Sequence, residues 1–124
     1  MHRKSIIRLG AISGCLAVGL GAFGAHALKE MLSEGSMTGT WETASRYHLV
    51  HSVMMLLPLS VPESGWKPAW LFFVGNLLFS GSLYVMALTG IKMLGMVTPL
   101  GGLCFIAGWL MLAFQTQHGE KPVT

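Results

Sequence analysis

Apolar residues run along this chain in long blocks, not in alternation or in a narrow helical stripe. Residues 6–28 are interrupted only by Arg8 and His26, and residues 69–89 and 93–114 contain no charged side chain. Crossing a hydrocarbon core of about 30 Å takes about 20 apolar residues at about 1.5 Å each, and these three blocks reach that length. A fourth is shorter, because the apolar stretch after Arg46 ends at Val61 and contains Pro58. It predicts a helix that begins near Thr40 or Trp41 outside the membrane, enters around Tyr47, and is kinked or ended by Pro58. Pro62, Gly65 and Pro68 make a tight connection to the third block, and Gly90 to Lys92 leaves room only for antiparallel neighbours. The predicted fold is all-α and integral to the membrane: one domain over residues 1–124, with four transmembrane helices in an antiparallel bundle. The spans are about 6–28, 43–61, 69–89 and 93–114, with an external linker over 29–42 and a short cytoplasmic tail over 115–124.

Composition agrees with lipid as the solvent. Of 124 residues 52% are hydrophobic and 10% charged, with a mean hydropathy of +0.60, whereas soluble domains carry about 25% charged residues. The net charge of +3 comes from scattered residues and forms no basic stripe, which excludes nucleic acid as a partner. Lys and Arg set the orientation. Arg3, Lys4, Arg8, Lys67 and Lys121 fall on one side, and Lys29, Arg46 and Lys92 on the other, so both termini are expected in the cytoplasm. A basic start before an apolar run also suits a signal peptide cleaved after Ala27, or a lipoprotein site at Cys15. The apolar run is too long for the first and is broken by Arg8 for the second.

Small residues recur every four positions in the first span, at Gly10 and Gly14 and again at Ala17, Gly21 and Ala25. They mark a face that another helix approaches closely. Gly75 with Phe79, and Gly101, Gly102 and Gly108, suggest similar surfaces on spans three and four. The intramembrane methionines read as adaptable filler and Cys15 and Cys104 as buried thiols, with no metal or redox spacing.

Polar residues inside the spans carry more information, since such groups face the bundle interior and find partners. Counted at the helical rise, His26 lies about 3 Å, His48 about 3 Å and His51 about 8 Å below the external surface. Ser80, Ser82, Tyr84 and Thr98 fall in the same half. The expected structural cluster is His26, His51, Ser80, Tyr84 and Thr98, hydrogen-bonded to one another and to nearby backbone. Histidines on two helices can also hold haem or a transition metal, which makes His26 and His51 the candidate ligands of an alternative reading. A proton or cation path is a third. All five Glu fall in loops, tail or helix ends and there is no Asp, so proton-coupled export lacks its usual carboxylate. Phosphate-binding loops, nucleophile elbows and paired carboxylates are absent from the sequence, leaving catalysis little to rest on.

Several segments read together resemble one family: AISG at 11–14, GAFGAH at 21–26, YHLVH at 47–51, LFSGSLY at 78–84, and VTPLGG at 97–102 followed by AGW at 107–109. Their order and spacing over nearly the whole chain are similar to the DUF423, or UPF0382, family of small bacterial membrane proteins. The resemblance implies a multipass protein of the bacterial inner membrane and no established activity. Within and beside these segments it counts His26 and His51 as family-like positions, but not His48, although that residue lies within 47–51, nor Cys15. The expected function is a non-enzymatic scaffold or accessory subunit, without a cofactor, acting in the bilayer as a homo-oligomer or within a larger membrane complex. The alternatives are a haem or metal carrier and a small oligomeric transporter or channel.

Overall fold

A computed structural model describes residues 3–60 and 66–115. Pro62, Glu63 and Gly65, and the tail with Glu120 and Lys121, lie outside the described residues. Among the described residues six α-helices follow one another: α1 (Arg3–Ala25), α2 (Lys29–Glu34), α3 (Thr38–Leu56), α4 (Lys67–Gly75), α5 (Gly81–Thr89) and α6 (Thr98–Gln115). The third apolar block is one continuous rod, in which a π-helical turn, Asn76–Ser80, joins α4 to α5. Pro68 sits in the first turn of α4, where its missing N–H costs nothing. Gly90, at φ 73°, ends α5 in the left-handed conformation that glycine adopts without a Cβ clash. The linker is not wholly irregular, because α2 occupies residues 29–34 and buries Leu32. The second helix begins earlier than the pattern suggests, at Thr38, and ends before Pro58, passing into a 3-10 turn at Leu57–Ser60.

Among the described residues three helices are long and apolar enough to cross a membrane: Arg3–Ala25, Lys67–Thr89 and the stretch Lys92–Phe114. Helix α3 is less apolar because it carries Glu42, Arg46, His48 and His51, yet it occupies the centre, packing against α1, α4, the π-turn and α5.

Close contacts give the helix directions. Along α6, partners on the α4–α5 rod descend as its own numbers rise: Thr98 meets Ser82, Gly101 meets Phe79, Phe105 meets Gly75 and Gly108 meets Phe72. Between α1 and α3, Gly10 faces Leu56, Gly14 faces Ser52, Gly21 faces Ser45 and Gly24 faces Trp41. Both pairs are therefore antiparallel. The α1 seam runs Gly10, Gly14, Ala17, Gly21, Gly24, steps of four and three that follow a 3.5-residue repeat. Ala25, expected on this seam from strict four-residue spacing, is exposed, and Gly24 is buried in its place.

The bundle is apolar outside, and among the apolar side chains of its core it also buries polar ones. Ile12, Leu16 and Val18 of α1, Val53 of α3, Leu77 and Leu88 of the rod, and Leu103 and Ile106 of α6 all face outward. His48, His51, Ser52, Asn76, Ser80 and Ser82 are buried. Water would not favour this distribution, whereas lipid tails are as apolar as the outward side chains.

Candidate functional site

Two histidines on α3 organise the interior. Three helical positions separate them, so their side chains diverge by about 60° around the axis and reach different neighbours.

His48 faces α1 and α5. Its Nε2 lies 3.1 Å from Ser13 Oγ and its Nδ1 3.1 Å from Tyr84 Oη. Ser13 and Ser52 oxygens are 2.6 Å apart, Ser52 donates to the His48 carbonyl at 2.6 Å, and Asn76 Nδ2 donates to Ser13 at 3.4 Å. One proton arrangement serves all the short contacts. Ser52 spends its hydrogen on the His48 carbonyl, so Ser13 donates to Ser52 and His48 donates from Nε2 to Ser13. Nδ1 then accepts from Tyr84, whose second acceptor, Ser45 Oγ, is farther off at 3.4 Å. Trp41 closes the top of this network, edge-on to Tyr84 at 4.8 Å, with its indole N–H donating to the Leu20 carbonyl of α1.

His51 faces the α4–α6 side. Its Nδ1 donates to the Tyr47 carbonyl at 2.8 Å and its Nε2 accepts from Trp109 Nε1 at 3.0 Å. The ring stacks on Phe105 with centroids 3.6 Å apart. Both nitrogens are engaged, so a metal at Nε2 would have to displace Trp109.

The other expected members are held separately. Ser80 donates to the Ala44 carbonyl at 2.9 Å, tying the rod to α3, and Thr98 pairs with Ser82 at 2.6 Å, tying the rod to α6. Tyr84 joins His48, not His51. His26 is exposed in the turn after α1, and the α1–α3 register sets it about 15 Å along the axis from His51. The structure thus does not bring His26 and His51 into one site. Among the described residues no three His, Cys, Asp or Glu side chains are grouped to hold a metal ion. The sequence reading leaves His48, Ser13, Ser52 and Asn76 out of the cluster, and its expectation that a spacing of three sets His48 and His51 near one face does not hold, since the two rings have separate partners. The same offset leaves about 60° between the two side chains, which is enough to give His48 neighbours of its own.

Beside the His48 network lies a groove of about 220 Å³ between α1 and the α4–α5 rod, with His48, Ser13, Asn76 and Tyr84 among its lining. A wider, more polar cleft of about 400 Å³ opens at the α2 end, where Lys29, Glu42, Ser45 and Arg46 meet Gly21 and Gly24.

An all-helical chain with an apolar exterior and a buried polar network is a helical membrane protein, and similarity to known proteins says the same. Residues 20–102 match the family described as "Protein of unknown function (DUF423)". A UPF0382 membrane protein of Staphylococcus haemolyticus is 45% identical over 121 residues, covering 91% of this chain and 95% of the relative. The UPF0382 membrane protein YwdK of Bacillus subtilis is 44% identical over 115 residues, covering 88% and 93%. The chain belongs to the DUF423/UPF0382 family. No solved structure matches it.

Proposed function

We propose that this protein is a non-enzymatic component of the bacterial plasma membrane, a scaffold or accessory subunit that acts through its lateral surface. The observation that carries the reading is the division of labour between interior and exterior. The buried hydroxyls and imidazoles bond one another or nearby backbone, and what the molecule offers its surroundings is a broad apolar face. In this reading α3 is the fourth span: below Arg46 its outward residues are Leu49, Val50 and Val53, continued by Leu57 of the following turn, a face suited to lipid. Arg3 donates to the Leu59 carbonyl at 3.1 Å, which sets the start of α1 beside the end of α3. Arg3, Lys4, Arg8 and Lys67 then share one end, and the excess of positive charge there supports cytoplasmic termini.

The partner is a second copy or another membrane polypeptide, docked on the outer face of α1. Ala11, Cys15, Gly19 and Ala22 are exposed there, and a Cβ at Gly19 would meet nothing within 4 Å, so a neighbouring helix has close access. Cys15 is a built-in reporter. Thiol crosslinking in native membranes is expected to give a species larger than the monomer, lost in Cys15→Ser. A chain that stays monomeric under crosslinking and in native electrophoresis overturns the reading. No cofactor belongs to it, and a Soret band or stoichiometric metal in gently purified protein would replace it with a carrier function.

A further inference from the structure

We propose that the groove between α1 and the α4–α5 rod binds an uncharged, hydroxyl-bearing amphiphile dissolved in the bilayer. The proposal rests on the interior of the molecule and stands whether or not the outer face docks a partner. Leu9 and Leu16 line the groove from α1 and Phe73 and Leu77 from the rod, while His48 and Asn76 supply polar groups. Asn76 is only 6% exposed, and its Oδ1 has no hydrogen-bond partner among the described residues. A buried acceptor left unpaired is destabilising, more so away from water.

No nearby hydroxyl can satisfy it. The Ser13 hydrogen goes to Ser52, the Ser52 hydrogen to the His48 carbonyl, the Tyr84 hydrogen to His48 and the Ser80 hydrogen to the Ala44 carbonyl. The amide's own N–H is turned toward Ser13. None of these side chains supplies the missing donor; a hydroxyl entering the groove would supply it once a small parting of α1 from the rod uncovers this oxygen. The π-helical turn begins at this same asparagine, and single π-turns within α-helices recur at functional sites.

Depth and size define the ligand. Asn76 lies two residues from the middle of the Lys67–Thr89 helix, about 3 Å along it, where a charged headgroup is strongly disfavoured. A dry cavity of about 150 Å³ admits a benzene ring, so 220 Å³ takes a hydroxyl group with a ring or a short length of chain, the remainder of the tail running out between the helices into lipid.

A matched pair of probes tests this: decanol with a diazirine at the far end of its chain, and the corresponding decyl methyl ether, which has the same tail and no donor. Each is photolysed with the full chain in nanodiscs, and labelled residues are mapped by mass spectrometry. The expected result is about tenfold more labelling of the groove residues by the alcohol than by the ether, the factor that follows from leaving or filling one buried acceptor. In Asn76→Leu, checked for helicity and melting, the two probes should label equally. Leu16→Trp, at an exposed position on the groove's edge, should lower alcohol labelling several-fold while leaving Asn76 in place. Equal labelling of the wild type by both probes would mean an ordinary lipid-chain crevice. That result, a preference that survives in Asn76→Leu, or label spread over the whole outer face would overturn the proposal.

Discussion

His48 and His51 stand one helical turn apart and hold their ring protons on opposite nitrogens, His48 on Nε2 toward Ser13 and His51 on Nδ1 toward the Tyr47 carbonyl. In protein whose other three histidines, His2, His26 and His118, are replaced by Gln, nitrogen NMR in nanodiscs should therefore show one Nε2–H ring and one Nδ1–H ring; two Nε2–H rings would contradict the geometry at His51. Stability should separate the histidines as well. His48→Ala removes two side-chain bonds to other helices and leaves Ser13 and Tyr84 short of a partner. Bonds of this kind in membranes average about 0.6 kcal/mol and reach about 1.7, so a loss of about 1 to 3 kcal/mol is expected. His51→Ala should cost a similar amount, since it gives up the Trp109 bond and the stack on Phe105. His26→Ala, at an exposed turn, should leave the melting temperature in detergent unchanged. Equal effects at all three positions would refute this assignment. That polar groups meet inside was legible in the sequence, because an imidazole in an apolar block must find a partner. Which groups meet was not, since depth puts all three histidines in one half of the bundle and only the angular position on α3 separates His48 from His51.

Helix lengths and the antiparallel order follow from the apolar blocks and the short connections between them. The π-turn at Asn76–Ser80 does not, because a register change of one residue leaves no periodic trace and is fixed by what packs on each side of it. It lets the rod present Phe72, Gly75 and Phe79 to α6 while Asn76, Ser80 and Tyr84 are turned toward α1 and α3. The glycines of this interface differ sharply in tolerance. A Cβ on Gly101 would collide with the backbone of Phe79, which cannot swing aside, whereas one on Gly19 would meet open space. Gly101→Ala should lower the melting temperature markedly or prevent folding. Gly19→Ala should be neutral or slightly stabilising through helix propensity, given as about 1 kcal/mol. Similar melting for both variants would show that α6 does not seat as closely on the rod as described.

For the molecule as a whole, the decisive question is whether α3 crosses the bilayer with the other three. In a chain whose two native cysteines are replaced by serine, Ser36→Cys and Ser60→Cys flank this helix. An impermeant maleimide added to intact cells should modify position 36 and reach position 60 only after permeabilisation; labelling of both from one side would mean that α3 does not span. Reciprocal interlocking sets how the bundle can move. Phe72 and Phe79 of the rod fill the places left by Gly108 and Gly101, and Phe105 of α6 fills the place left by Gly75. With pegs and sockets on both members, neither can slide by a residue along the other, and the rod and α6 travel as one stiff plank. Helix α1 is seated as closely on α3 through Gly10 and Gly24, so the seam left to part is the one between α1 and the rod, and a guest slipping in beside Asn76 would be felt first along α1, where a neighbour would sit.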